Sequence, residues 1–255
     1  MALHTLQSGA LRVIISDAGA EIIQIEDILT GRNYLWHGDS AYWGRRSPIL
    51  FPIVGGLKNK TYKYAGREYP MSQHGFARDR EFQMTEHNVD TIWFELKADE
   101  ESLKVYPFRF RLEIGYRLEG RKITVMWRVA NEDKKTMFFS IGGHPAFICD
   151  DRQSMAGCEV VFGTKKPALS YKLLNEDGLV ENEAHEMKLD ESKVTVTEDF
   201  FDKDAYIFEN IGCREVSIQA DGKAAVTVTF DAPVFGLWSP VGKKVPFICI
   251  EPWYG

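Results

Sequence analysis

Two histidines and one carboxylate in this chain sit in surroundings suited to proton chemistry. His74 lies in Gln73-His74-Gly75-Phe76-Ala77-Arg78-Asp79, and His144 in Ser140-Ile141-Gly142-Gly143-His144-Pro145. Glu251 follows the apolar run Phe247-Ile248-Cys249-Ile250 and precedes Pro252-Trp253-Tyr254. An imidazole exchanges protons near neutral pH. A carboxylate among apolar neighbours is partly desolvated, which raises its pKa and makes it a stronger base. The three are far apart in sequence, so they act as an acid–base set only where the fold brings them to one place.

Each residue also has a plain structural reading. Gly142 and Gly143 let backbone approach closely and Pro145 stiffens the exit, which equally suits a histidine packed in a tight turn. His74 with Arg78 four residues on suits an oxygen-rich ligand, and equally a structural ion pair with Asp79. Glu251 could be an exposed strand end. Asp204, in Phe201-Asp202-Lys203-Asp204-Ala205, stands at the start of a strand, where Asp is common. Asp202 and Asp204 lack the further oxygen ligands a calcium loop needs, so no metal is expected there. Trp238 in Gly236-Leu237-Trp238-Ser239-Pro240 is either core or a flat platform for a ligand ring. The chain lacks GxGxxG, a P-loop, GxSxG and HExxH, which removes support for hydride transfer, nucleotide hydrolysis, serine esterase and zinc protease chemistry. A two-carboxylate glycosidase would need a second acid near Glu251, and none is singled out.

The elements that must position these residues are strands. Over 108–118, Phe108, Phe110, Leu112, Ile114, Tyr116 and Leu118 alternate with Arg109, Arg111, Glu113 and Arg117. After a turn at Glu119-Gly120-Arg121, Ile123, Val125, Trp127 and Val129 alternate again, which predicts a long hairpin with one wet face. A second hairpin is predicted at 215–219 and 224–230, turning at Asp221-Gly222, and a third at 62–69, turning at Ala65-Gly66. Further strands are expected at 11–15, 21–28, 82–86, 91–97, 136–141, 159–162, 193–197, 205–209 and 246–250. No segment keeps a 3.6-residue apolar period for three turns. The class is therefore all-β, antiparallel, with very little helix. Residues 163–192 read as a long solvated excursion, acidic at 181–191. Without a linker or a composition break, 1–255 is expected to form a single domain, a sandwich or a barrel.

Composition narrows the partners. A net charge of −6 with no basic run argues against nucleic acid. No apolar run approaches the roughly 20 residues of a membrane helix, and the N-terminus lacks the pattern of a signal peptide. The four cysteines are dispersed without CxxC spacing, as expected of buried thiols in a cytoplasmic protein rather than a structural zinc site. A small-molecule ligand and a monomer or homodimer are the expected partners.

The runs Pro48–Gly56 (PILFPIVGG), QHGFARD at 73–79, SIGGHPAF at 140–147, DAYIFEN at 204–210 and GLWSP…PFICIEPWYG at 236–255 resemble the aldose 1-epimerase (galactose mutarotase-like) family, in particular its LacX-like branch. The resemblance covers nearly the whole chain. It implies a β-supersandwich and interconversion of the α and β anomers of an aldose without cofactor or metal. It implies Glu251 as general base, His144 as general acid, and His74, Arg78, Asp204 and Trp238 as substrate-binding residues. Many members carry an Arg where this chain has Gly55-Gly56-Leu57-Lys58, so either Lys58 or Lys60 is expected to compensate or the substrate to differ. Relatives also continue past EPWYG with further β structure, so a shortened C-terminus is expected. Arg45, Arg46, Lys58, Lys60, Arg78 and Arg80 form a loose basic set that keeps a hexose phosphate open as the substrate. A non-catalytic carbohydrate-binding protein on the same fold is the third alternative.

Overall fold

The alternating run at 108–118 buries one face as its pattern requires. Phe108, Phe110, Leu112, Ile114, Tyr116 and Leu118 are all buried, while Arg109 and Arg117 are exposed. The computed structural model describes residues 1–150 and 153–255. Two units emerge along the chain: Met1–Asn33 with Pro48–Ile141, and Tyr34–Ser47 with Gly142–Gly255.

In the first unit, β1 (Leu3–Gln7), β2 (Leu11–Ser16) and β3 (Glu21–Asp27) form a three-stranded antiparallel sheet. β4 (Ile49–Leu50) is a two-residue strand. β5 (Thr61–Tyr64) and β6 (Arg67–Pro70) form the predicted hairpin, with Ala65 and Gly66 both left-handed in its turn. β7 (Gln83–His87), β8 (Thr91–Lys97), β9 (Phe110–Glu119) and β10 (Lys122–Asn131) make a four-stranded sheet in the order β10-β9-β8-β7. One six-residue helix, α1 (Glu100–Val105), is capped at Asp99, whose carboxylate accepts from the Ser102 backbone N–H at 2.7 Å.

The second unit carries β11 (Ile141–Gly143), β12 (Ala146–Ile148), β13 (Glu159–Phe162), β14 (Ala168–Tyr171), β15 (His185–Lys188), β16 (Lys193–Thr195), β17 (Tyr206–Glu209), β18 (Glu215–Ala220), β19 (Lys223–Thr229), β20 (Val234–Trp238) and β21 (Phe247–Tyr254). One sheet runs β17-β20-β21-β11, with β12 also paired to β21, and another runs β16-β13-β18-β19. Along β21 every residue from Phe247 to Glu251 is buried. A strand covered on both faces reads as a continuous apolar run, and Glu251 is the one charge in that run.

The all-β expectation holds, with local corrections. The excursion at 163–192 contains a hairpin: β14 pairs β15 from Ala168↔Lys188 to Tyr171↔His185, and Leu169 and Met187 are buried beneath it. Each strand spans only four residues, too few for alternation to stand out from polar flanks. The strand expected at 136–141 begins only at Ile141 and runs to Gly143. β1, β4, β12 and β20 were not anticipated. β21 continues through Pro252, opposite Phe235 on β20. Among the described residues, no helix is long and apolar enough to cross a membrane.

Candidate active site

β21 is the spine of the site. Successive side chains alternate faces along a strand, so Cys249, Glu251 and Trp253 share one face. β12 pairs antiparallel with Ala146 opposite Cys249. His144 sits in the two-residue break between β11 and β12, close to Glu251 on β21. The side chains meet there: His144 Nε2 stands 3.2 Å from Glu251 Oε1. On the other flank, β20 places Gly236 opposite Glu251 and Trp238 opposite Cys249.

Gly236 is a spatial requirement. A Cβ at that position would stand 2.8 Å from Trp253 Cζ2 and 2.9 Å from its Cη2. The missing side chain lets the Trp253 ring lie across β20 beside Glu251. Trp253 is itself 8% exposed and has little room to retreat. Gly236→Ala is therefore expected to overpack this face and to cost about 1–3 kcal/mol. Chemical denaturation checks this, and a midpoint equal to wild type would mean the ring is not confined.

The pair is dry. His144 is 6% exposed and Glu251 2%. Burial pushes the Glu251 carboxyl well above the ordinary carboxylate value of 4.5. The Trp253 indole N–H works against that shift, and the negative charge of Asp204 adds to it. The indole N–H makes no well-formed hydrogen bond, so desolvation dominates. Asp204 lies just before β17, in a left-handed conformation (φ 66°), with its N–H donating to the Phe201 carbonyl at 3.0 Å.

Aromatic rings hold the His144 imidazole. Trp43 stacks on it at 4.9 Å between centroids, tilted by 28°, and Trp238 meets it edge-on at 5.4 Å. Trp43 comes from the Tyr34–Ser47 segment, which β12 straps down. The Trp36 N–H donates to the Ala146 carbonyl, the Ile148 N–H to Tyr34 and the Ala146 N–H to Arg46. The Trp36 indole then donates to the Trp43 carbonyl at 2.7 Å. Sequence reading missed Trp43. Its signal was the aromatic density of the Tyr34–Trp43 stretch, and nothing local tied it to His144.

His74 and Arg78 belong to the first unit. His74 is buried in a left-handed turn (φ 64°), where its Nδ1 accepts the Gly55 N–H at 3.1 Å and its own N–H donates to the Gly55 carbonyl at 2.8 Å. A neutral ring whose Nδ1 accepts carries its proton on Nε2, which makes that nitrogen a donor. Arg78 donates to the Gln73 carbonyl at 2.8 Å, and its Nε lies 3.9 Å from the Asp79 carboxylate. Asp79 is half exposed, so that ion pair is worth little. Two groups of described residues could hold a cation: His144 with Cys249 and Glu251, and Cys149 with Asp150 and Cys158.

The family model described as aldose 1-epimerase matches residues 2–253. The chain belongs to the aldose 1-epimerase family. Two LacX proteins of Lactococcus lactis subsp. lactis, one plasmid-borne and one chromosomal, are each 32% identical to it over 98% of this chain and 87% of their own. A galactose mutarotase related enzyme from Lactobacillus acidophilus superposes with a TM-score of 0.92 at 34% identity, over 100% of this chain and 86% of that one. A galactose mutarotase-like protein from Lactobacillus casei gives a TM-score of 0.92 at 27% identity, over 99% and 87%. The galactose mutarotase-like fold expected of an aldose 1-epimerase is thus the fold of this chain.

Proposed function

We propose that this aldose 1-epimerase family chain is a mutarotase that interconverts the α and β anomers of a free hexose. The observation that carries the reading is the buried contact between His144 Nε2 and Glu251 Oε1. The hydroxyl on C1 and the ring oxygen of a hemiacetal are bonded to the same carbon. An acid and a base serving them must therefore stand close together, as these two groups do. Glu251 takes the C1 hydroxyl proton while His144 gives a proton to the ring oxygen, and the C1–O ring bond breaks. The C1–C2 bond rotates, and the steps run in reverse on the other face of the aldehyde. Each positioned proton transfer contributes about 10²–10⁴-fold. Desolvation strengthens Glu251 as a base. The aromatic walls of Trp43 and Trp238 suit the apolar face of a sugar. His74 Nε2–H and the Arg78 guanidinium are the proposed donors to sugar hydroxyls, with Asp204 as an acceptor.

A second reading, a hexose phosphate as substrate, draws on Arg45 and Arg46. They follow Trp43 and Gly44 on the strap that covers His144, and guanidinium groups recognise phosphate well. Polarimetry separates the readings. Starting from pure α anomers, the chain is expected to accelerate glucose or galactose at least as well as glucose 6-phosphate. Faster equilibration of the phosphate would move the assignment to a hexose phosphate. Binding without acceleration of any aldose would make it a carbohydrate-binding protein.

A further inference from the structure

We propose that His144, Cys249 and Glu251 form a binding site for one thiophilic divalent cation of the zinc type, and that its occupation shuts off the acid–base pair. One ligand atom from each residue lies within 4.8 Å of the other two. Zinc bonds N, O and S at about 2.0–2.3 Å, so ligand atoms on one tetrahedral ion stand roughly 3.3–3.8 Å apart. His144 and Glu251 already approach to 3.2 Å. Small side-chain rotations bring the sulfur in. The convergence follows from strand geometry. Cys249 and Glu251 are two apart on β21 and share a face, and His144 reaches them from the break between β11 and β12, both of which pair with β21. Two ligands on a core strand and a third held between two strands paired to it are preorganised, with little ordering entropy left to lose.

The donor set selects the ion. Calcium and magnesium want six or more oxygens, and this group offers one carboxylate. One nitrogen, one sulfur and one carboxylate oxygen favour zinc and its neighbours. The donor groups are shielded from water, with Cys249 fully buried, Glu251 2% exposed and His144 6%, so an ion held by them sheds most of its hydration. On binding, the Cys249 thiol loses its proton to solvent and a sulfur–metal bond forms. A lone pair of the imidazole and one of the carboxylate coordinate the ion. A coordinated imidazole nitrogen cannot carry a proton to the ring oxygen, and a coordinated carboxylate cannot take one. The kinetic consequence rests on the acid–base reading proposed above; the binding does not.

The test uses the full chain and cobalt(II) as a probe, because thiolate-to-cobalt charge transfer absorbs in the near ultraviolet whether or not the protein is active. One equivalent of cobalt is expected to produce that band, and zinc to abolish it by displacement. Cys249→Ser and Cys249→Ala, each with a wild-type circular dichroism spectrum, are expected to lose the band. His144→Asn is expected to weaken the metal affinity at least about tenfold. In polarimetry, zinc at saturation is expected to slow the wild-type chain at least about tenfold and to change the rate of each Cys249 variant less than twofold relative to that variant without zinc. No band in wild type overturns the site. A band that survives in both Cys249 variants but disappears in Cys158→Ser also overturns it, and assigns the thiolate to the Cys149–Asp150–Cys158 group. A chain that shows the cobalt band but no mutarotation keeps the site and loses the acid–base reading. One that mutarotates without the band does the reverse.

Discussion

Glu251→Gln is expected to lower the catalysed rate of anomer exchange by at least about 10²-fold while sugar binding survives. Gln keeps the shape and the hydrogen-bonding reach of the side chain at the centre of β21 and removes only the base. His144→Asn is expected to cut the rate by a similar factor. The double variant is expected to lose no more than either single one, because acid and base act in one step. A Glu251→Gln chain with a normal polarimetric rate would sink the mechanism. The same substitution has an opposite effect on stability. Burial lifts the Glu251 carboxyl well above its ordinary 4.5, so the folded chain holds that proton more tightly than the unfolded one. Between the ordinary value and the raised one, unfolding releases a proton, and wild-type stability falls as pH rises through that window. Gln carries no such charge. With chelator present, Glu251→Gln is therefore expected to melt above wild type at pH 8, and the gain is expected to vanish below the ordinary 4.5. A gain that persists undiminished at low pH would show that it does not come from the buried charge.

Gly75→Ala is expected to destabilise the first unit by at least about 3 kcal/mol, or roughly 6–12 °C in melting temperature for a chain of this size. Gly75 is left-handed, at φ 71°, and a Cβ on it would stand 2.2 Å from the Phe51 carbonyl oxygen and 2.4 Å from its carbon. The neighbour is backbone and cannot rotate away. The same Phe51 oxygen accepts the N–H groups of Phe76 and Ala77 at 3.0 and 3.1 Å, so any retreat breaks both bonds. The turn also fixes His74, whose Nδ1 holds the Gly55 N–H. Loss of stability is thus expected to come with weaker sugar binding. A melting temperature within about 2 °C of wild type would contradict both expectations.

The base role proposed for Glu251 gives a reason for a buried carboxylate in the middle of a core strand. A charge at 2% exposure is a cost to folding, and the neighbours relieve it only in part. The imidazole 3.2 Å away favours the ionised carboxylate when protonated, whereas Asp204 opposes ionisation. Activity that depends on such a group trades against stability, and the expected thermal gain of Glu251→Gln is that trade made measurable.

What the sequence by itself determined is what depends on near neighbours. Side-chain alternation with period 2 is local, so the β9–β10, β18–β19 and β5–β6 hairpins were legible with their turns. A carboxylate ending an apolar run, and a histidine between glycines and a proline, were legible as unusual residues in unusual places. Their resemblance to one family named the chemistry they suit. Whether Glu251 was an exposed strand end or a buried carboxylate was not legible. That depends on β20 and β12 flanking β21, and strands brought together from distant segments leave no mark in the local pattern. The same holds for the contact between His144 and Glu251, for Cys249 drawing close to both, and for Trp43 stacking on an imidazole a hundred residues away. The β14–β15 hairpin was missed for a related reason: its strands are short, and pairing rather than pattern stabilises them. Tertiary structure decided these points because burial and strand register are properties of the assembled sheet. They also set the electrostatics of the site, since burial raises the pKa of the Glu251 carboxyl and the 3.2 Å contact puts the imidazole beside it.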